Sequence, residues 1–185
     1  MKPQKPRLSK CPICKDRYQK WSFTQKTCLN VDCALTLAKS IREKKAAKAH
    51  REAKVKAKTR SQWVKDTQAV FNQFIRKRDS GKLCICCNMP LELNAVGGGF
   101  DCGHYRSVGS APHLRFDPRN AHGQRKQCNR WGSGRAVDYR LGLIKRIGLE
   151  EVEVLEADQT PRKFTIPELI EIRDTYRRKL KELNQ

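Results

Sequence analysis

The placement of nine cysteines limits what this chain can become more than any other feature. Cys11, Cys14, Cys28 and Cys33 fall within the first 33 of 185 residues, and the theme returns in altered form at Cys84, Cys86, Cys87, Cys102 and Cys128. In the first group a Cys-Pro-Ile-Cys turn is followed, after thirteen residues, by Cys28-Leu-Asn-Val-Asp-Cys33. Each pair presents two thiolates, which suits tetrahedral Zn²⁺, and the residues between the pairs make a small hairpin. Four unrelated buried thiols are the alternative. Only 38% of residues are hydrophobic and 32% are charged. Burial alone is therefore a thin source of stability for one domain with appendages or two small domains, and metal would supply the rest.

Met1 to Lys10 is basic and broken by proline with no apolar run behind it, and no apolar stretch reaches the length of a membrane span. The expectation is a cytoplasmic protein with no membrane partner, in a reducing compartment where clustered cysteines hold metal rather than form disulfides.

The formal net charge of +21 is segmental. Residues 1–33 carry eight basic and two acidic side chains, 34–60 ten and two, 61–135 twelve and five, and 136–185 ten of each. The first three quarters are built to meet a polyanion, by contacts to phosphate that read no sequence and weaken steeply with salt. A merely soluble basic protein would spread its excess more evenly.

Four segments follow from composition. A zinc finger of treble-clef or ribbon type occupies 1–38, its last cysteine running straight into the helix-forming Ala34-Leu35-Thr36-Leu37-Ala38. A basic helical linker occupies 39–60, where Ile41 and Val55 are too sparse to make a buried stripe. It is either a solvated helix that grips nucleic acid or a charged spacer. A core spans 61–135 and begins with a helix carrying Trp63, Ala69, Val70, Phe71, Phe74 and Ile75, which Ser61 would cap. Helices at 136–185 complete the chain, the first pair broken at Gly148 with Leu141, Ile144, Val152 and Leu155 inward and Glu150, Glu151, Glu153 and Glu156 solvated. The last helix opens with a capping box, Thr165-Ile-Pro-Glu168, and carries Leu169, Ile172, Tyr176, Leu180 and Leu183 at helical spacing. These helices either pack on the core or form a homodimer interface. The fold class is small, zinc-stabilised α+β.

The core holds the chemistry. Cys84-Ile85-Cys86-Cys87 offers a knuckle, Asn88-Met89-Pro90 turns the chain, and Gly97-Gly98-Gly99 leads into Phe100-Asp101-Cys102-Gly103-His104. Arg119-Asn120-Ala121-His122 and Cys128-Asn129 follow. A His on a short strand, an Asn in the next loop and a metal-binding residue at the start of a helix are the parts of a one-metal ββα, HNH-like nuclease site. Phosphodiester hydrolysis needs a base to deprotonate water, a divalent cation for the crowded phosphorane, and a group that fixes the base's tautomer.

Over nearly its whole length the chain resembles the NinG family, the phage lambda Rap recombination endonuclease family. The resemblance rests on the N-terminal cysteine quartet, Asp101-x-Gly-His104-Tyr-Arg, Ala111-Pro-His-Leu-Arg-Phe116, and Arg119-Asn120-Ala-His122-Gly-Gln. Gln127-Cys128-Asn129, Ser133-Gly134 and the stretch from Tyr139-Arg140 to Arg146-Ile147-Gly148 complete it. It implies a phage- or prophage-encoded endonuclease of branched DNA such as D-loops and Holliday junctions, working with phage or host recombination proteins. Carried over, His104 is the general base, Asn120 holds the catalytic loop or the His104 ring, and Asn129 binds the catalytic Mg²⁺ or Mn²⁺ together with Asp101. His122 binds metal or phosphate, or is structural. Phosphate contacts would come from Lys44, Lys45, Lys48, Arg51, Lys54, Lys56 and Lys58 on the linker and from Arg106, Arg115 and Arg119 on the core.

This chain departs from that pattern where many relatives have Cys in place of Arg125 and Asn in place of Arg135. Cys84, Cys87 and Cys128 then lack an expected fourth zinc partner, and Cys86, Cys102 or His122 could close the tetrahedron; otherwise the second zinc is weak or absent. One or two structural zinc ions are thus expected. Three function classes remain open: the endonuclease, a zinc-dependent DNA- or RNA-binding module with a decayed centre, and a basic RNA-binding protein of ribosomal type. The last leaves the residues from Asp101 to Asn129 unexplained.

Overall fold

The computed structural model describes residues 8–93 and 99–185 and comprises two compact units, residues 1–58 and 59–185. Gly97 and Gly98 of the expected glycine loop lie outside the described residues. In the first unit, strands β1 (Leu8–Lys10) and β2 (Arg17–Gln19) pair antiparallel and carry Cys11 and Cys14 on the turn between them. Helix α1 (Val31–Lys56) follows, with the Asn30 side chain accepting from the N–H groups of Asp32 and Cys33. The boundary expected after residue 38 falls inside this one helix. Cys33 is its buried residue, while Ile41 and Val55 are exposed, as sparse apolar spacing requires.

In the second unit, helix α2 (Arg60–Arg78) is capped by Thr59 and not by Ser61. A capping box needs Glu or Gln three residues after the cap, and Thr59 has Gln62 where Ser61 has Val64. Gln62 Oε1 accepts from the Thr59 N–H at 2.8 Å. Helix α5 (Ile166–Glu182) starts with the predicted Thr165 and Glu168 box. It packs along α2 in a core of Trp63, Phe71, Phe74, Leu169 and Tyr176. Phe71 and Tyr176 meet edge to face at 4.9 Å between centroids, and burying a side chain such as Phe71 contributes about 3 kcal/mol.

Strands β3 (Phe100–His104) and β4 (Ala121–Arg125) form a regular antiparallel hairpin with five consecutive pairs, from Phe100 opposite Arg125 to His104 opposite Ala121. Cys102 and Ala121 pack into the α2 and α5 core. A second core gathers Tyr139 and Leu143 of α3 (Ala136–Ile147) with Val152 and Leu155 of α4 (Leu149–Ala157). Buried Tyr139 donates its hydroxyl to the Gly103 carbonyl at 2.9 Å, tying that core to β3. The break between α3 and α4 is at Gly148, whose φ of 89° favours glycine.

Leu141 was expected inward but is exposed, and Leu143 is buried instead. Tyr139 fixes the rotation of α3, so its i+4 neighbour Leu143 turns inward. Gly142 lies so close to the Ile85 carbonyl that a Cβ there would collide with backbone oxygen. The C-terminal helices therefore pack on the core, one of the two expected arrangements.

Candidate functional site

The four N-terminal sulfurs lie within 4.8 Å of one another, with Cys14 Sγ and Cys28 Sγ 3.8 Å apart. A tetrahedron with Zn–S bonds near 2.3 Å has edges of about 3.8 Å, so the group fits Zn²⁺ in size. The Cys11 thiol is held down to about 6, chiefly by the Cys28 backbone N–H. Cys14 shifts the other way: the Asp16 backbone N–H lowers its thiol, but burial and the neighbouring sulfurs outweigh this and it is pushed up to about 12. Cys11 is therefore the thiolate offered first, and metal would have to release the remaining protons.

The second group is built on the same knuckle. Cys84 N–H donates to the Met89 carbonyl at 2.8 Å and the Cys84 carbonyl accepts from Asn88, which has a φ of 55°. Cys84, Cys87 and Cys128 come within 4.8 Å of one another, and among the described residues no further His, Cys, Asp or Glu joins them. The Cys84 thiol is held down to about 4 by Cys86 and by backbone N–H groups including that of Arg125, whose nitrogen is 3.3 Å from the sulfur. The three residues expected to supply a fourth ligand do not. Cys86 accepts from Gln124 Nε2 at 2.9 Å, and Cys102, its thiol pushed up to about 12 by burial, packs toward α2. His122 uses both ring nitrogens elsewhere: Nε2 donates to the Arg119 carbonyl at 3.1 Å, and Nδ1 lies 3.1 Å from Arg78 Nη2.

At the end of β3, His104 Nε2 donates to the Arg115 carbonyl at 3.0 Å. A carbonyl can only accept, so the proton is on Nε2 and Nδ1 keeps its lone pair. Burial lowers the ring's pKa further than the Arg115 carbonyl raises it, which favours the neutral form. Phe71 lies against the ring at 6.0 Å between centroids.

Fully buried Asn120 ties together the loop that joins β3 to β4. Its oxygen accepts from the Arg106 N–H at 2.8 Å, and its amide donates to the Arg106 and Leu114 carbonyls at 3.0 and 3.2 Å. It holds the loop rather than the His104 ring.

Asp101 accepts from Asn129 Nδ2 at 3.1 Å and from Arg130 Nε and Nη2 at 2.8 and 3.0 Å. Burial opposes its charge, but Arg130 and Asn129 outweigh that and hold the carboxyl below its ordinary range. Both Asp101 oxygens are taken by Arg130 and Asn129, so a cation such as Mg²⁺, which accepts sparse protein ligation, would have to displace the Arg130 guanidinium to bind there. The structure brings Asp101 and Asn129 together but does not bring His104 to them. On a regular strand, residues three apart point to opposite faces. Asn129 sits on a single wide turn, Gln127–Trp131, rather than at the start of a long helix.

Sequence reasoning missed Asp79. It is fully buried and accepts from Arg78 at 2.8 Å, Lys82 at 3.1 Å and the Gly123 N–H at 2.8 Å, with His122 Nδ1 3.8 Å away. Burial raises its pKa, yet Arg78 and its other donors more than compensate. Burial, followed by the nearby Arg78, lowers His122 to about 4. The sequence signal was slight, a charged Arg78-Asp79 pair at the end of a helix.

The expected phosphate contacts divide. Lys44, Lys45, Lys48, Arg51, Lys54 and Lys56 are exposed along α1 and Lys58 is half-buried beyond it. Arg106 is committed inward, where its guanidinium donates to the carbonyls of Leu155 in the last turn of α4 and of Asp158 at its C-cap. Arg115 reaches Gln68, and Arg119 pairs with Asp117 and Glu151 at 2.7 and 2.8 Å. Glu156, expected in solvent, pairs with Arg140 and accepts from the Tyr105 hydroxyl. No helix among the described residues is long and apolar enough to cross a membrane.

Two cysteine knuckles and a hairpin packed against helices define a small α+β protein with sites suited to metal. The chain belongs to the NinG family, whose model, described as Bacteriophage Lambda NinG protein, matches residues 3–185. It is 37% identical to Protein ninG of Escherichia phage 933W over 197 residues, covering 97% of this chain and 95% of that one. Identity to Protein ninG of Salmonella phage P22 is 42% over 130 residues, covering 70% of this chain and 62% of the relative. The same identity and length hold for Protein ninG of Escherichia phage lambda, with 70% and 61% covered. No solved structure matches.

Proposed function

We propose that the protein is a metal-dependent endonuclease that hydrolyses DNA phosphodiesters at branched recombination intermediates, D-loops and Holliday junctions among them. The observation that carries this reading is His104, neutral, held in one tautomer by the Arg115 carbonyl and keeping a lone pair on Nδ1. Such a group deprotonates water at neutral pH. Asp101 and Asn129, set apart from His104 on the opposite face of β3, would hold Mg²⁺ or Mn²⁺ once Arg130 is displaced, and the ion would supply charge stabilisation to a phosphodiester drawn between the two faces. Asn120 fixes the loop that carries Arg115, and through it the orientation of the base. The exposed lysines and Arg51 of α1 attract duplex arms through backbone charge, which suits recognition of branch shape rather than base sequence.

Incubating the full chain and Mg²⁺ with a synthetic four-way junction, beside a metal-free control, tests this. Cleavage only with metal, lost in His104→Ala while the junction is still shifted, supports the reading. His104→Ala cutting at the wild-type rate removes His104 as the base.

A second reading is a nucleic-acid-binding module with a decayed centre. It is favoured by Arg130, whose guanidinium occupies the Asp101 carboxylate, and by the opposed faces of Asp101 and His104. Tight junction binding with no metal-dependent product selects it.

A further inference from the structure

The second cysteine group offers three sulfurs where a closed structural zinc site needs four. A cleft of about 320 Å³ opens beside two of these cysteines, lined by Cys87, Cys128, Arg125, Gln127, Trp131 and Arg135. The loop over Cys128 is shaped with some strain: Ser133 and Arg135 hold φ values of 50° and 48°, and Gly134 N–H returns to the Cys128 carbonyl at 3.2 Å. Arg125 and Arg135 add two cations to this wall, Arg135 also lying 3.6 Å from the exposed carboxylate of Asp138, beside a Trp131 that is 83% exposed.

We propose that a Zn²⁺ ion held by Cys84, Cys87 and Cys128 keeps its fourth position open to this cleft, where it takes a phosphate-class oxyanion neutralised by Arg125 and Arg135. Three thiolates on Zn²⁺ carry a net charge of −1, and the two arginines make it possible to add a further anion. Two geometric facts argue against closure from within. Cys86 meets the Cys84 sulfur but does not join the set that Cys84 makes with Cys87 and Cys128, its sulfur being engaged by Gln124 and the Gly134 carbonyl, and His122 has no nitrogen to give. The proposal is independent of the nuclease reading, because it requires only metal and anion.

The test is Co²⁺ reconstitution of the full chain, followed by titration with inorganic phosphate. A four-thiolate site has no exchangeable position, so the N-terminal group stays silent and a phosphate-dependent change in the ligand-field bands reports the second site. A saturable change in the wild type is expected, severalfold weaker in Arg135→Gln. In Arg125→Cys the change should be lost, with a gain in thiolate-to-cobalt charge transfer as a fourth sulfur joins. If Arg125→Cys fails to fold, the wild-type and Arg135→Gln titrations still decide. A short oligothymidylate in a parallel arm separates the sources: response to both ligands assigns backbone phosphate, and response to inorganic phosphate alone assigns the free ion. No phosphate response in the wild type overturns the proposal, as does loss of charge-transfer intensity in Cys86→Ser, which would make Cys86 the fourth ligand.

Discussion

Lys15 and Asn88 occupy the same place in two separate knuckles. Each follows the first cysteine of its group by four residues, adopts a positive φ of 69° or 55°, and donates its N–H to that cysteine's carbonyl at 3.1 Å. The cysteine's own N–H then bonds the next residue's carbonyl, Asp16 or Met89, at 2.8 Å. Both turns thus present a sulfur pair from a hydrogen-bonded loop with one residue in the left-handed region, a geometry that bound metal would lock.

Metal removal should therefore act on both units. Stripping the full chain with a chelator is expected to release metal from each group, and Cys11→Ser should lower the bound metal by about one ion per chain. Elemental analysis checks the count. Unchanged metal content in Cys11→Ser would rule out the N-terminal site.

Burial of the His104 ring, which outweighs its bond to the Arg115 carbonyl, predicts the pH dependence of the proposed cleavage. A base with a depressed pKa is active above that value and loses activity as pH falls through it. The acid limb of single-turnover cleavage should lie below the ordinary His value of about 6.5, with a plateau above it. A limb centred above that value would mean another group supplies the base.

Asn120→Ala should destabilise the second unit by about 3 kcal/mol, since it strands the Arg106 N–H and two carbonyls in a buried loop. Urea unfolding measures this. A loss under about 1 kcal/mol would show that water replaces those bonds.

His122 should make the fold sensitive to acid. Its pKa falls from about 6.5 unfolded to about 4 folded. The unfolded chain therefore binds the proton first, so stability is full above about pH 6.5 and declines toward pH 4, by about 3 kcal/mol in all. Comparing urea midpoints across that window for wild type and His122→Gln isolates the contribution, and parallel curves would refute it.

Local chemistry makes the first cysteine group legible. The 11, 14, 28, 33 spacing, the helix formers after Cys33 and the Thr165 to Glu168 box are signals that neighbouring residues complete by themselves. The helices were read well for the same reason, because side chains three and four apart decide which face is apolar. What failed was rotation. Leu141 and Leu143 are both apolar, and only the Tyr139 bond to a strand 36 residues away selects which one turns inward.

The sequence by itself determined the residue types that can bind metal, activate water and attract a polyanion, since these are properties of composition and short spacing. Only the tertiary structure decided which of them meet. Asp79 gathered Arg78, Lys82 and His122 into a buried ionic centre, Asn120 became the tie of a loop, and the second cysteine group was left with three sulfurs beside an arginine-lined cleft. The physical reason is that partner choice among polar groups is made across chain separations of tens of residues. There burial penalises each unpaired charge or donor, and no local pattern records which partner relieves it.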